Sequence, residues 1–312
     1  MKVPSDWNGQ RYYPISQFYK KRFGERVHKI SVSVAETCPN RQNNSGEGCV
    51  FCDQWGSAGN RDLAGLPLID QIRQGRERLS SRFGVGKFLV YFQAFTNTYA
   101  RLSRLEKDLQ VALGEENVCG AVLGTRPDCL PADIYAMLKN FSEKKYISVE
   151  LGVQSFYDDK LAFLKRGHTT AQSIEAIHQL SEKTTVDIGI HLIFGLPGES
   201  VEEICSTAEK INQLPVGNVK LHNLHVLAGT ELERLYKSGG IKPISLENYS
   251  EKVTRFLERL SPDIAVQRLA AYAGRQHGLV APEWTGNRMM PSQFIINHMK
   301  GLDTFQGKCY EK

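Results

Sequence analysis

Three cysteines, Cys38, Cys49 and Cys52, lie in the glycine- and asparagine-rich stretch TCPNRQNNSGEGCVFCDQW, residues 37–55. Ten residues separate the first cysteine from the close pair, and no fourth cysteine follows nearby. A structural zinc site is normally closed by four ligands, and the nearest histidine, His28, precedes the first predicted strand, at the end opposite the loop. Thiolates also hold iron–sulfur clusters, and three of them leave one iron of a [4Fe–4S] cluster open. The spacing by itself is compatible with zinc and with iron–sulfur.

A second group of polar residues interrupts and follows the apolar run VELGVQSF (149–156). Glu150 is costly to bury unless it is paired, and Gln154, four residues on, points to the same face of a strand. Arg166 comes twelve residues after Gln154 and can bind a carboxylate through two parallel hydrogen bonds. The alternative is that Arg166 forms a structural ion pair with Glu150.

Composition indicates an ordinary globular protein. Of 312 residues, 41% are hydrophobic and 23% are charged, which are typical values. No apolar run approaches the roughly 20 residues that span a bilayer, and the first residues lack the apolar stretch of a signal peptide. We therefore expect a cytoplasmic protein with no membrane partner. Its seven cysteines do not indicate a disulfide framework, and the clustered ones indicate a metal site or catalysis.

Six short runs of β-branched and aromatic residues alternate with segments of helical periodicity. Such alternation predicts βαβ units and a parallel sheet. No glycine-rich dinucleotide fingerprint follows the first run, so we expect an α/β partial (β/α)6 barrel and not a doubly wound sheet. In barrels the active site collects at the C-terminal ends of the strands, where the cysteine loop begins. The predicted strands are 30–34, 88–93, 119–125, 146–154, 186–195 and 219–227.

The net charge of +5 is concentrated in the first 30 residues, where seven basic side chains stand against two acidic ones, so the rest of the chain is neutral. Basic residues alternating with aromatic ones suit a phosphate backbone and stacked bases. The alternative is an amphipathic segment packed on the domain. The aromatic residues concerned are Trp7, Tyr12, Tyr13, Phe18 and Tyr19.

Three regions are predicted along the chain. From about residue 240 the strand–helix alternation fades into one predicted helix, 246–260, and a polar tail. The regions are a basic aromatic N-terminal arm (1–28), the partial barrel (29–235) and a C-terminal substrate-side extension (236–312).

The cysteine loop, with an aromatic residue inside its CxxC pair, resembles the radical S-adenosylmethionine (SAM) superfamily. The ten-residue first interval departs from the commonest CxxxCxxC pattern, and long first intervals are a feature of the branch that includes the Elongator catalytic subunit. Six further segments extend the resemblance, over about residues 11–295, to the YhcC/YtqA-type family. They are YFQAFTNTYA (91–100), GTRPDCLP (124–131), VELGVQSF (149–156), LKRGHT (164–169), HLIFGLPGE (191–199) and LHNLHVLAGTEL (221–232).

This resemblance implies a radical SAM barrel and an enzyme that cleaves SAM reductively at a [4Fe–4S] cluster to form a 5′-deoxyadenosyl radical. It also implies an electron donor such as flavodoxin or ferredoxin. Some family members modify the wobble uridine of tRNA, converting the carboxymethylaminomethyl group at C5 to aminomethyl, so tRNA is the expected partner. Two alternatives stay open: a radical SAM enzyme on another substrate, and a non-catalytic iron–sulfur or zinc protein that senses redox state or scaffolds a complex.

The resemblance further implies roles for individual residues. The cluster would be held by Cys38, Cys49 and Cys52. The residues that contact SAM would be Phe51, Gln93, Asn97, Glu150, Gln154, Arg166 and His191. Among them, Gln154 and Arg166 resemble SAM-contacting positions of oxygen-independent coproporphyrinogen oxidase. His191 stands where relatives have an aspartate. Alternatively, Phe51 packs under the loop, and Gln93 or Asn97 caps the next helix.

Six residues are predicted on the substrate side: Arg126, His222, His225, Arg268, Trp284 and Arg288. Arg126 stands at a strand end, and Asp128 is a candidate helix-start residue. His222 and His225 are three apart, so in a strand they point to opposite faces and at most one faces the barrel. The last three suit base stacking and phosphate contact, with a structural role as the alternative for each.

Overall fold

A curled, seven-stranded parallel sheet forms the centre of the computed structural model, which describes residues 3–4, 7–34, 38–43, 48–56, 65–93, 95–99 and 101–311. The strands are β1 (Val27–Val32), β2 (Lys87–Phe92), β3 (Val118–Thr125), β4 (Tyr146–Gln154), β5 (Asp187–Phe194), β6 (Asn218–Asn223), β7 (Val226–Leu227), β8 (Ala265–Val266) and β9 (Leu279–Ala281). The order is β1-β2-β3-β4-β5-β6-β8, and every neighbouring pair is parallel. The predicted partial α/β barrel is confirmed.

Helices connect the strands, as βαβ units require. They are α1 (Ile15–Phe23), α2 (Pro39–Asn43), α3 (Leu68–Phe83), α4 (Leu102–Gly114), α5 (Ile134–Ser142), α6 (Asp158–Phe163), α7 (Thr170–Lys183), α8 (Val201–Asn212), α9 (Glu231–Lys237), α10 (Leu246–Arg259) and α11 (Met290–Gly301). Thr169 and Ser200 start α7 and α8 with reciprocal capping boxes, which satisfy N–H groups that the first helical turn leaves unpaired. None of the helices in the described ranges is long and apolar enough to cross a membrane.

The two faces of the sheet are packed differently, and β2 shows the pattern. Phe88, Val90 and Phe92 join the main core between the sheet and the outer helices. Leu89 and Tyr91, on the other face, point into the half-barrel. Both faces of a parallel strand are buried, so the run reads as continuously apolar. The inner face is where polar side chains can gather around a cavity.

Two strand predictions need correction. The first strand begins three residues earlier than predicted and ends at Val32, so His28 belongs to β1, where its ring stacks on Phe83 at 4.8 Å. The run predicted at 219–227 is divided into β6 and β7. Beyond residue 240, where only one helix was predicted, β8 adds a further strand to the sheet and α11 packs on α10.

The N-terminal segment is packed into the fold. Trp7, Tyr13 and Tyr19 are 2%, 8% and 4% exposed, so the prediction that these rings stack on bases is wrong. Tyr19 contacts Tyr146, the first residue of β4, with 6.3 Å between ring centroids. Helix α1 therefore covers the N-terminal end of the strands, opposite the end where the cysteine loop begins. The exposed basic residues there are Lys20, Lys21, Arg22 and Arg26.

Candidate active site

A cavity of about 420 Å³ opens at the C-terminal ends of the strands and extends down the inner face of the sheet. Two groups of polar residues line it. The thiol side comes from the loops after β1, β3 and β4 and consists of Cys38, Cys49, Cys52, Arg126 and Arg166. The lysine side comes from the inner faces of β4, β5 and β6 and from the chain around β8, and consists of Glu150, His191, Lys220, His222, His225 and Arg268.

On the thiol side, nitrogen donors point at two of the three sulfurs. Cys49 Sγ accepts from Asn40 Nδ2 at 3.1 Å and from Arg166 Nη1 at 3.3 Å. Cys52 Sγ accepts from Arg41 Nη2 at 3.5 Å. Donors from positive or amide groups stabilise a thiolate over a thiol. The loop that carries the cysteines continues through residues 44–47, which lie outside the described residues.

The donor set has the chemistry of a thiolate-held metal site. All three cysteines are free and line the same cavity, although no group of three or more His, Cys, Asp or Glu within the described ranges has the geometry of a bound metal ion. Burial, and then the neighbouring Cys49, raise the pKa of the Cys52 thiol to about 11. Metal binding must therefore displace a proton from this cysteine. Three thiols, with no further ligand in the part of the chain that the structure describes, fit a cluster that leaves one position open.

The rest of the thiol side offers hydrogen-bond donors that the protein does not use. Arg166 donates from Nη2 to the carbonyl of Gly152 at 2.8 Å, and its buried Nε has no partner among the described residues. Arg126 is bound to Asp128 at 2.7 and 2.9 Å, and within the same described ranges its buried Nη1 also has no partner. Buried donors without acceptors are costly, so two guanidinium groups facing a cavity fit an anionic ligand. The predicted alternative of an ion pair between Arg166 and Glu150 does not occur.

A glycine shapes the wall beside Arg166. A Cβ placed on Gly152 would lie 2.8 Å from Gln154 Nε2 and 2.9 Å from Arg166 Nη2. The strand is irregular between Leu151 and Gln154, and Gln154 has a φ of 68°. A positive φ is strained for a residue with a side chain. This backbone brings the Gln154 amide to the cavity next to the guanidinium.

The lysine side is organised around one buried carboxylate. Glu150 is 1% exposed and accepts from Lys29, from Gln267 at 2.8 Å, from His191 at 2.6 Å and from Lys220 at 3.4 Å. Burial by itself would raise the pKa of Glu150, but Lys220, Lys29 and His191 hold it well below its usual value. The carboxylate is therefore ionised and bonded on both oxygens, as a buried charge requires.

Lysine 220 lies between this carboxylate and an aromatic ring. Its Nζ donates to Tyr91 Oη at 2.8 Å and lies 4.6 Å from the centre of the Tyr91 ring. Burial lowers the pKa of Lys220 to about 7 against the opposing effect of Glu150. Burial, and then the charge of Lys220, lower the pKa of His191 to about 4. Lys220 thus changes charge near neutral pH, whereas His191 stays neutral.

The prediction that at most one of His222 and His225 faces the barrel is wrong. Both line the cavity, and their rings stack at 4.9 Å with an interplanar angle of 25°. The alternation of side chains ends with β6 at Asn223, and the chain bends before β7. His222 Nδ1 bonds to the Asn223 carbonyl at 2.8 Å. Burial, followed by the charge of Arg268, lowers the pKa of both histidines, so the pair is neutral.

The remaining predicted residues divide between the cavity and the surrounding core. Phe51, Gln93 and Arg288 line the cavity, and Phe51 also packs on the hydrophobic cluster under the loop. Asn97 instead joins two strand ends, since its Nδ2 donates to the carbonyls of Phe92 and Gly124, both at 2.9 Å. Trp284 donates to the Ile244 carbonyl at 3.1 Å and packs on Tyr249. Asp128 does not start a helix; α5 begins at Ile134.

Several residues of the site had not been predicted: Lys29, Asn40, Arg41, Tyr91, Lys220 and Gln267. The signal that identified Glu150, a charge inside an apolar strand, is also present at Lys29 and Lys220. Asn40 and Arg41 lie within the cysteine loop, but their spacing does not indicate that they point at sulfur.

Comparison with known proteins identifies related sequences along most of the chain. The family model for the radical SAM superfamily matches residues 32–211, and the Radical SAM C-terminal domain matches residues 216–300. The Bacillus subtilis protein YtqA is 31% identical over 97% of this chain and 94% of its own length. Escherichia coli YhcC is 32% identical over 86% of this chain and 85% of its own length.

More distant similarity connects the chain to a larger enzyme. The tRNA uridine(34) acetyltransferase of Methanocaldococcus jannaschii is 34% identical over 49% of this chain, a region that is 28% of that protein. Among solved structures, archaeal Methanocaldococcus infernus Elp3 with an N-terminal deletion superimposes with a TM-score of 0.68 at 19% identity, covering 90% of this chain and 64% of that structure. At this identity the superposition shows a shared fold.

Proposed function

Because the chain belongs to the radical SAM superfamily, alongside YhcC and YtqA, we propose that it modifies the C5 side chain of the wobble uridine in tRNA. The proposed reaction converts carboxymethylaminomethyl to aminomethyl with SAM as the two-electron oxidant: the methylene between nitrogen and carboxylate is oxidised to the imine level, and water hydrolyses the carbon–nitrogen bond, so that the two-carbon unit leaves as glyoxylate. Superfamily membership supports an enzyme and implies a [4Fe–4S] cluster and SAM. The observation that carries the proposal is one cavity that joins three cysteine thiols to a wall of basic and imidazole side chains.

The thiol side is assigned to the cofactors. Cys38, Cys49 and Cys52 would hold the cluster, and Asn40 and Arg41 would stabilise their thiolates through the contacts at sulfur. When bound, the cluster and SAM supply the radical that removes a hydrogen atom from the substrate, with flavodoxin or ferredoxin as electron donor.

Arg166 and Gln154 are the proposed SAM contacts on the same side of the cavity. Arg166 has an unused buried donor there, which fits the carboxylate of SAM. Glu150 and His191 were predicted to contact SAM as well. Because they are bonded to each other at 2.6 Å, we assign them instead to ordering the floor of the cavity.

The mouth and the lysine side are assigned to the nucleotide. The stacked, neutral His222–His225 pair presents a flat surface on which a pyrimidine ring can stack. Arg288 is exposed at the mouth, with its guanidinium 4.5 Å from the centre of the Tyr272 ring, and can contact a phosphate. Unpaired anticodon bases are splayed out at low cost. The basic residues of α1 lie at the other end of the sheet and are not assigned to this contact.

Partial similarity to a tRNA uridine(34) acetyltransferase supports a tRNA substrate. The matched region is only 28% of the acetyltransferase, so we do not assign acetyl transfer to this chain. The two share a stretch of 157 residues, about half of this chain.

The proposal is tested by anaerobic reconstitution with iron and sulfide, followed by incubation with SAM, a reductant and tRNA that carries 5-carboxymethylaminomethyluridine. We expect 5′-deoxyadenosine and 5-aminomethyluridine to form together, and a Cys49→Ala variant to form neither. Deletion of the gene should leave 5-carboxymethylaminomethyluridine in cellular tRNA. If 5′-deoxyadenosine forms but that nucleoside stays intact in vitro and in the deletion strain, the enzyme acts on another substrate. One zinc and no iron after reconstitution would instead indicate the non-catalytic alternative.

A further inference from the structure

Arg268, which follows β8 on the lysine side, is a cation that forms no ion pair with any of the residues that the structure describes. Its Nε donates to the Leu221 carbonyl at 3.1 Å, and the guanidinium has further donors that can bind a ligand. The side chain faces the cavity. Glu150 acts on this guanidinium through its charge without bonding to it, so an anion from outside the chain would stabilise it further.

The surroundings of Arg268 add positive charge. The only carboxylate bonded in this cluster, within the described residues, is Glu150, and Lys29 and Lys220 already share it. The charge of Arg268 also reaches Lys220. Burial is the largest cause that lowers the pKa of Lys220, Glu150 opposes it, and the charge of Arg268 lowers the pKa further. Positive groups therefore outnumber negative ones at the floor of the cavity, and an anion placed there is stabilised.

Arg268 and Lys220 are both held in place by hydrogen bonds. The Leu221 amide donates to the Arg268 carbonyl at 3.2 Å, and Arg268 Nε donates back to the Leu221 carbonyl. Lys220, next to Leu221 in β6, is fixed by Tyr91 and Glu150. Preorganised donors lose little freedom when a ligand binds, so the pair resembles a built binding site more than two mobile surface charges.

We infer that Arg268 and Lys220 form a subsite for the carboxylate of the substrate's C5 side chain. The inference rests on the proposed function, in which that side chain ends in a carboxymethyl group. SAM carries a carboxylate too, but its proposed partner Arg166 follows β4, whereas Lys220 and Arg268 lie on and after β6 and β8, two and three strands away in the sheet order. A backbone phosphate has a ribose on each side and fits the mouth better than the floor.

The subsite predicts selection between related nucleosides. A wobble uridine that has lost the carboxymethyl group has no anion for Arg268, so the product binds less well than the substrate. Holding the carboxylate also fixes the methylene between it and the nitrogen in the space that faces the thiol side. Arg268 and Lys220 are thus substrate-positioning residues, and neither touches the cofactors in this account.

The test compares two tRNAs that differ in one group: one carries 5-carboxymethylaminomethyluridine and the other its primary amide, which is neutral and of similar size. For the wild-type holoenzyme we expect kcat/KM for 5′-deoxyadenosine formation to favour the carboxylate by about 10- to 100-fold, the range of a charge-assisted hydrogen-bonded pair. Arg268→Gln should remove this preference, mainly through KM, and leave iron content and SAM affinity unchanged. Arg268→Lys should restore part of the preference.

Arg288→Gln is the matched control, because this arginine is exposed at the mouth and should affect both tRNAs equally. A preference that persists in Arg268→Gln, or a loss of SAM affinity in that variant, overturns the subsite while the proposed function stands. If wild-type enzyme converts neither tRNA, the proposed function fails. In that case the free nucleosides, measured by calorimetry on SAM-loaded protein, test the subsite without turnover: equal affinity for acid and amide overturns it. Thermal melting shows whether each variant is folded.

Discussion

The thiol side and the lysine side of the cavity use their charges in opposite ways. On the thiol side, Arg126 and Arg166 keep buried donors that find no acceptor among the residues that the structure describes. On the lysine side, Lys220 and His191 are bonded to the carboxylate of Glu150, which Lys29 of β1 also contacts, whereas Arg268 forms no ion pair within the described part of the chain. The first side is arranged for ligands that supply several acceptors. The second is mostly complete by itself and has room for one small anion.

Two groups of residues that line one cavity therefore have different roles. Removing a residue from the thiol side should lose a cofactor and leave the fold intact. Removing one from the lysine side should disturb the packing of the barrel or the choice of substrate.

Loss of one cysteine should have the largest effect. Cys49→Ala removes one of the three proposed cluster ligands, a thiol that Asn40 and Arg166 also contact. We therefore expect the reconstituted protein to lose its iron and all SAM cleavage. Iron and sulfide analysis with a 5′-deoxyadenosine assay measures this. Cys309→Ala is the matched control, because that cysteine is exposed. Retention of a full iron complement in Cys49→Ala would remove the thiol side from cluster binding.

Removal of the buried carboxylate should destabilise the fold more than any change on the thiol side. Glu150→Ala leaves Lys29 and Lys220 next to each other without a counter-ion, and breaking a buried pair in this way costs about 3–5 kcal/mol of unfolding free energy. Denaturation of the holoprotein measures the loss. The double variant Glu150→Ala/Lys220→Met should recover part of it, because one uncompensated charge is removed. An unchanged stability in Glu150→Ala would show that the network is not structural.

Arg166→Ala should separate SAM binding from cluster binding. The side chain has an unused buried Nε at the cavity, and loss of a charge-assisted contact is worth about 10- to 100-fold in affinity. Equilibrium dialysis of SAM measures the change, with iron content expected to stay constant. Lys165→Ala, which removes an exposed neighbour paired with Glu231, is the control. A fall in thermal stability with SAM affinity unchanged would make Arg166 structural.

The lysine side should also give the smallest effect, a dependence of substrate affinity on pH. Because the pKa of Lys220 is about 7, its positive charge is present below that pH and is lost above it. Affinity for the carboxylate-bearing tRNA should therefore fall as pH rises through 7, by up to about tenfold for one charge in a partly shielded site. The groups facing Lys220 are Lys29, Tyr91, Glu150, His191 and Arg268.

Binding assays of the acid and amide tRNAs at pH 6 and pH 8 measure this dependence. The amide tRNA should show a smaller change than the acid tRNA, and Lys220→Met should bring the two together. The same pH dependence for both tRNAs would mean that the titrating group does not face the carboxylate.

The sequence predicts the fold well because the alternation of strands and helices is local. Each strand from β2 to β5 lies within a few residues of its predicted range, since apolar runs and helix periods can be recognised without tertiary contacts. β8 was missed because it is only two residues long, Ala265–Val266. The N-terminal rings were misassigned because composition does not show that Trp7 and Tyr19 fill the end of the barrel.

The two sides of the cavity also differ in how far they can be predicted. The thiol side lies in short motifs, so cysteine spacing and the Gln154–Arg166 interval led to it. The lysine side depends on the register of β4, β5 and β6, which places Glu150, His191 and Lys220 together. No spacing along the chain shows that Lys220 is bonded to Glu150, seventy residues away. A lysine inside an apolar strand is nevertheless a signal in the sequence for a residue of the site.

In the proposed reaction a radical formed on the thiol side attacks a side chain held on the lysine side. This reaction is tested most directly with tRNA in which the methylene of the 5-carboxymethylaminomethyl group between nitrogen and carboxylate carries deuterium. After incubation with reconstituted enzyme, SAM and reductant, mass spectrometry of the 5′-deoxyadenosine should show the transferred deuterium, together with 5-aminomethyluridine in the tRNA. 5′-Deoxyadenosine without deuterium, while the nucleoside stays intact, would contradict the proposed reaction.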